Sequence, residues 1–138
     1  MGPDGAGAEG GAAEVVQRTA QPAVQIFGTK NCAGTRKAQR FFSERRMPLH
    51  FVDLKERAMS PGELRRFVQK FGEDAIIDRD APRYRELGLH VARLSTDRWI
   101  EKLALEPLLL RTPLVRHGSE LTVGMAEEVW RTWVARPS

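Results

Sequence analysis

The stretch Val24-Gln25-Ile26-Phe27-Gly28-Thr29-Lys30-Asn31-Cys32-Ala33-Gly34-Thr35-Arg36-Lys37-Ala38 decides how the chain is read, because its residue pattern changes character twice. Val24 to Phe27 is a short run of β-formers ended by Gly28, which predicts a buried strand. Gly28 to Asn31 then predicts a loop. From Ala33 to about Arg46, the apolar Ala38, Phe41 and Phe42 recur at helical spacing while Arg36, Lys37 and Arg40 fall on the opposite side, so an amphipathic helix is expected up to Met47-Pro48. Cys32 therefore stands in the loop after a strand, at the start of a helix. Unpaired amides and the positive end of the helix dipole favour a thiolate there, and Lys30, Arg36 and Lys37 add positive charge nearby.

Working outward, Leu49-His50-Phe51-Val52-Asp53 predicts a second strand, parallel to the first in a right-handed βαβ unit. Ser60-Pro61-Gly62-Glu63 supplies an N-cap, a proline in the first turn and a glutamate three residues after the cap, and Leu64, Phe67, Val68 and Phe71 form the apolar stripe of the helix that follows. Ala81 to Leu87, stopped by Gly88, predicts a shorter helix. Ser95 or Thr96 opens another, running through Trp99, Ile100, Leu103 and Leu105 to Pro107. Leu114-Val115-Arg116 and Leu121-Thr122-Val123-Gly124 flank a turn at His117-Gly118-Ser119-Glu120 and predict a β-hairpin. Met125 to Val134 closes the chain as a helix with Val129, Trp130 and Trp133 facing inward. The expected class is α/β, with the order β-α-β, a helical insertion, then β-β-α around a mixed sheet.

Upstream, residues 1–22 are rich in Gly and Ala with only Val15-Val16 to bury, so they are expected to form a disordered tail preceding one domain over residues 23–138. Gly5, Gly7 and Gly10 spell GxGxxG, but without the strand before and helix after that a dinucleotide site requires. The 22 Lys and Arg against 18 Asp and Glu give a mild charge of +4, dispersed along the chain rather than gathered with aromatics, so no direct nucleic-acid binding is expected. The single cysteine excludes an intrachain disulfide. Apolar runs such as Leu108 to Leu110 fall far short of the roughly 20 residues of a membrane span, so no membrane association and a cytoplasmic location are expected. His50, His90 and His117 lack metal-ligand spacing, and neither a metal nor a bound cofactor is expected.

Thr35 occupies the position three residues after Cys32 where a dithiol oxidoreductase would carry its second cysteine. Cys32 can thus form only a mixed disulfide, resolved by a thiol from another molecule. The Thr35 hydroxyl, on the same helix face, is placed to donate to the Cys32 thiolate.

The residues from Gly28 to Ala38 resemble the catalytic loop of the arsenate reductase/Spx family of thioredoxin-fold proteins. Ser60-Pro61-Gly62-Glu63-Leu64, Tyr84-Arg85-Glu86-Leu87-Gly88-Leu89 and Pro107-Leu108-Leu109-Leu110-Arg111-Thr112-Pro113-Leu114-Val115, with Val123-Gly124 after them, agree in order and spacing. The resemblance implies a thioredoxin-like fold with a helical insertion and a cis proline at Pro113. It implies Cys32 as catalytic nucleophile, with Lys30, Asn31, Thr35 and Arg36 shaping the thiolate site and Thr112 and Pro113 facing it across a cleft. Glutathione or another low-molecular-weight thiol is the implied co-substrate, with glutaredoxin as a further partner. Arsenate-reducing members hold the oxyanion with three arginines, and the matching positions here are Asp78, Thr112 and Gly124. Arg79 and Arg111 each lie one residue away and are the candidate substrate- and thiol-binding arginines in their place. A weak or absent arsenate reaction is therefore expected. The Spx branch implies a different role, a regulator that binds RNA polymerase, although Thr35 removes the CxxC switch such proteins use.

Overall fold

The computed structural model describes residues 22–136. Apart from Pro22, the expected tail and its glycine pattern lie outside the described residues. Four strands form one mixed sheet in the order β2-β1-β3-β4, comprising β1 (Val24–Gly28), β2 (Leu49–Asp53), β3 (Leu114–His117) and β4 (Glu120–Val123). β1 pairs parallel with β2 and antiparallel with β3, and β3 pairs antiparallel with β4. This is the α/β order expected from sequence. As a central strand, β1 is covered on both faces, so Val24, Ile26 and Phe27 are all buried.

Two apolar layers sandwich the sheet. On one side lie α1 (Ala33–Glu44) and α6 (Glu127–Ala135), where Ala38, Phe41 and Phe42 meet Trp130 and Trp133 over Val24, Ile26 and Val115. The Phe42 ring stacks at 6.1 Å on Trp133 and contacts Trp130 at 5.3 Å. On the other side, the insertion between β2 and β3 supplies α2 (Pro61–Phe71), α3 (Glu73–Ile76), α4 (Pro82–Glu86) and α5 (Thr96–Leu105), which cover Phe27, Val52, Leu114 and Leu121. Ser60 caps α2 as predicted, its Oγ accepting from the Glu63 amide at 3.1 Å. An ion pair crosses this layer, Arg116 Nη1 to Glu63 Oε2 at 3.0 Å.

Several boundaries differ from expectation for identifiable reasons. α1 ends at Glu44 rather than Arg46, because Arg46 turns into the left-handed region at φ 59° and brings Met47 back to the core. The hairpin turn is shorter than expected, since His117 and Glu120 pair across the strands and leave only Gly118 and Ser119 as the loop. His117 is therefore a buried strand residue rather than a turn residue. α6 starts at Glu127, and its Val129 faces solvent at 42% exposure while Trp130 and Trp133 are fully buried. α3 and single 3-10 turns at Leu89–Val91 and Pro107–Leu109 were not anticipated.

A short antiparallel tie joins the insertion to the approach of β3. Ile77 bridges Leu110, the Asp78 amide donates to Leu109 O at 2.8 Å, and the Arg111 amide donates to Ile76 O at 2.8 Å. This fixes the backbone just before Thr112 and Pro113. The Thr112-Pro113 peptide bond is cis, as the resemblance implied.

Candidate active site

Cys32 is the N-cap of α1, with extended backbone at φ −82° and ψ 119°. Its half-buried Sγ accepts from the Thr35 amide at 3.4 Å, occupying one of the orphan donor positions of the first turn. Thr112, 80 residues further along the chain, donates its Oγ1 to the same sulfur at 3.1 Å. When the sulfur carries its proton, it has an acceptor in Thr112 O at 3.7 Å. Burial pushes the Cys32 thiol up, but the hydroxyl of Thr112, the hydroxyl and amide of Thr35 and the amide of Gly34 together outweigh it and leave the thiol below its ordinary value. The expected contribution of loop cations is not among these leading effects. Dipoles and hydroxyls, rather than charges, favour the thiolate.

Each side chain named from sequence has a definite place. Lys30 and Asn31 are exposed on the loop beside Cys32. Arg36 reaches back along its helix and donates Nη1 to Lys30 O at 2.8 Å, so it braces the loop instead of pointing at the sulfur. Pro113 is buried and lies against Gly34, where a side chain's Cβ would come within 3.1 Å of Pro113 Cδ. Gly34 thereby lets the two segments of the site close on each other. Thr35 is completely buried and its Oγ1 makes no hydrogen bond of ordinary geometry among the described residues.

Arg79 and Arg111 take up other duties. Arg79 is paired with Asp74 and with the hydroxyl of Tyr84, and its guanidinium also lies 5.5 Å from the Tyr84 ring. Arg111 is exposed and donates Nη2 to Ile77 O at 3.3 Å. Neither is hydrogen-bonded to the sulfur. Gly124 sits at φ 70°, its amide donating to Pro113 O at 2.8 Å, so this position ties β4 to the site's proline through backbone alone.

Residues 27–133 match the model of the ArsC family. The chain belongs to that family. Among relatives of this ArsC-family chain, an uncharacterized protein of Bacillus subtilis strain 168, YusI, is 30% identical over 101 residues, covering 70% of this chain and 86% of its own. A protein of Bacillus anthracis named global transcriptional regulator Spx 2 is 24% identical over 115 residues, 82% of this chain and 88% of its own. A solved structure of an arsenate reductase from Vibrio cholerae superposes with a TM-score of 0.71 at 24% identity, covering 82% of this chain and 98% of the other. The fold is accordingly the thioredoxin-like α/β fold of ArsC proteins.

From sequence Gly28 marks only the end of the first strand and the start of the loop; in the structure a Cβ there would lie 2.2 Å from Thr35 Oγ1. A glycine closing the strand, with a threonine seven residues on, is the visible trace of that contact. Among the described residues, no group of three or more His, Cys, Asp or Glu side chains is arranged to hold a metal ion. No helix among them is long and apolar enough to cross a membrane.

Proposed function

We propose that this ArsC-family protein is a cytoplasmic monothiol oxidoreductase in which Cys32 attacks as a thiolate and forms a mixed disulfide with glutathione or another low-molecular-weight thiol. The observation that carries this reading is the hydrogen bond from Thr112 Oγ1 to Cys32 Sγ at 3.1 Å, made to a half-buried sulfur at a helix N-terminus. A donor aimed at sulfur favours the attacking form, and partial exposure leaves an approach for a second sulfur. With Cys32 the only cysteine of the sequence, the adduct is resolved by a thiol from another molecule, free or carried by a glutaredoxin-type protein. Lys30 and Asn31 stand on the rim of the loop, where a peptide-like thiol would lie. Gly34 and Pro113 form the wall behind the sulfur.

The test is capture of Cys32 by glutathione disulfide, followed by mass spectrometry, together with a pH titration of iodoacetamide alkylation. A single glutathione adduct, reversed by added thiol, and a thiol titrating below about 8.5 are expected. Titration at or above that value, with no adduct, would remove the enzyme reading. Cys32→Ser should abolish capture while leaving the thermal transition in place.

A second reading is favoured by the relatives named as global transcriptional regulators, which match 82% of this chain. In it the protein is a regulator that binds RNA polymerase without a dithiol switch. Co-purification with RNA polymerase that persists in Cys32→Ser, alongside an inert thiol, would favour it.

A further inference from the structure

The face of the sheet that meets the insertion changes character from one row to the next. Val52, Phe27 and Leu114 pair in register across β2, β1 and β3, and all three are buried in the apolar layer. Two residues earlier along β1, the row on the same face is His50, Gln25 and Arg116, again in register. A polar row on a covered sheet face needs a cause, since helices ordinarily bury apolar side chains there.

Pairing within the chain does not supply it. Gln25 is half-buried, yet neither its side chain nor those of His50 and Arg57 makes a hydrogen bond or ion pair among the described residues. Arg116, its side chain only 26% exposed, meets Glu63 through Nη1 alone, at 3.2 Å from Oε1 and 3.0 Å from Oε2. Its Nε and Nη2 have no partner among the described residues. A guanidinium presents its donors as a planar fork that suits a carboxylate, so the two idle nitrogens mark a position for an acceptor pair.

These groups line a cavity of about 260 Å³ between the sheet, the β2-α2 connection and the start of α2. Phe27, Val52 and Met59 form its apolar lining, and Arg57, Arg116 and Glu63 its charged lining. Two guanidiniums against one carboxylate leave a single positive charge to be matched. Asp53 and Glu56 line the adjoining cleft of about 280 Å³, which shares His50, Val52 and Arg57 and disfavours a ligand of higher negative charge. The volume stands at the small end of ligand cavities and suits a metabolite-sized molecule. None of Lys30, Asn31, Cys32, Thr35, Thr112 or Pro113 lines either space.

We infer that this cavity binds a small organic monocarboxylate, its carboxylate held by Nε and Nη2 of Arg116 with Arg57 beside it, and its apolar body laid on Phe27, Val52 and Met59. Gln25 and His50 supply further hydrogen bonds to the head group. The site is separate from the thiol chemistry and does not rest on it. Because Arg116 belongs to β3 and Arg57 to the segment that leads into α2, one ligand bridges the sheet and the insertion.

The experiment titrates the reduced full-length chain with sodium 4-methylpentanoate and with sodium benzoate, read by calorimetry and by backbone amide shifts in NMR. Saturable one-to-one binding of at least one of them is expected, with a Kd of about 1 mM or tighter, as a ligand of fewer than about ten non-hydrogen atoms allows. The shifts should centre on Gln25, His50, Arg57 and Arg116. The corresponding amide, equal in shape and uncharged, should bind about tenfold or more weakly, and so should inorganic phosphate, which has no apolar body. Arg57→Gln, which orphans no partner, should weaken the carboxylate about threefold or more. Arg116→Gln would strand Glu63, so it is combined with Glu63→Gln; the folded double variant should lose about tenfold or more. Should that variant fail to fold, Arg57→Gln decides. Absence of saturable binding by both carboxylates would overturn the inference, as would equal affinity for the amide or for phosphate, shifts confined to the surroundings of Cys32, or a folded variant that binds like wild type.

Discussion

Thr35 packs its side chain directly onto Gly28, so that a Cβ at residue 28 would lie 2.2 Å from Thr35 Oγ1 and 2.8 Å from its Cγ2. Strand β1 and the first turn of α1 can approach this closely only because one of the two residues has no side chain. Gly28→Ala forces Thr35 outward and carries the Thr35 amide away from Cys32 Sγ. Overpacking of this kind costs about 1–3 kcal/mol. We expect a lower melting temperature and a raised Cys32 pKa in the same variant, read by calorimetry and alkylation; an unchanged thiol titration would separate Gly28 from the site.

Trp130 and Thr122 form the buried polar contact of the α1 and α6 layer, with Trp130 Nε1 donating to Thr122 Oγ1 at 2.9 Å. Trp130→Phe keeps an aromatic against Phe41 and Phe42 but leaves the threonine hydroxyl without its donor. A loss of about 1–3 kcal/mol in urea unfolding is expected. Trp130→Phe combined with Thr122→Val should recover part of it, because both polar partners are then gone.

His117 is buried beside Trp133, at 5.2 Å between rings, and neither ring nitrogen has a hydrogen bond of ordinary geometry among the described residues. Burial, then the nearby Arg136, lowers its pKa against the opposing pull of Glu120. The folded state therefore takes up a proton less readily than the unfolded chain. Stability from this residue is full above the ordinary imidazole value of about 6.5 and is lost as pH falls through it toward the depressed folded value. His117→Phe should flatten the acid limb of a stability-against-pH curve; an unaltered limb would assign acid sensitivity elsewhere.

Arsenate tests the arginine positions. With Asp78, Thr112 and Gly124 at the positions where the family resemblance implies arginine for arsenate reduction, and with Arg79 and Arg111 bonded to Asp74, Tyr84 and Ile77 O, we expect weak or absent arsenate turnover with glutathione and glutaredoxin. Robust turnover that disappears in Arg79→Ala and Arg111→Ala would show that these neighbours move in to hold the anion.

Much of this arrangement is legible in the residues themselves. Ser60-Pro61-Gly62-Glu63 marks the start of α2 because capping is a local interaction, and Val24 to Phe27 marks β1 because burial on both faces leaves an apolar run. Placing Cys32 at the head of α1 follows from the same local logic. What local pattern cannot carry is the identity of the sulfur's partners. Thr112 comes from 80 residues away, and the resemblance rather than spacing brought it to the site. Charge proximity in sequence also misled: Arg36 lies four residues from Cys32, yet its side chain closes on Lys30 O. The face of α6 was misjudged at Val129, which lies on the solvent side of the stripe that Trp130 and Trp133, three residues apart, turn to the core.

The hydrogen bond between Cys32 and Thr112 has a practical consequence for the whole molecule. Its acceptor belongs to the β1-α1 half of the chain, while its donor is held by the tie that anchors the insertion to β3. The acidity of one thiol thus serves as a gauge of whether two separately built parts of the chain are docked. A lesion buried deep in the insertion, far from any reagent, would announce itself in the alkylation rate of Cys32 before the protein as a whole came apart.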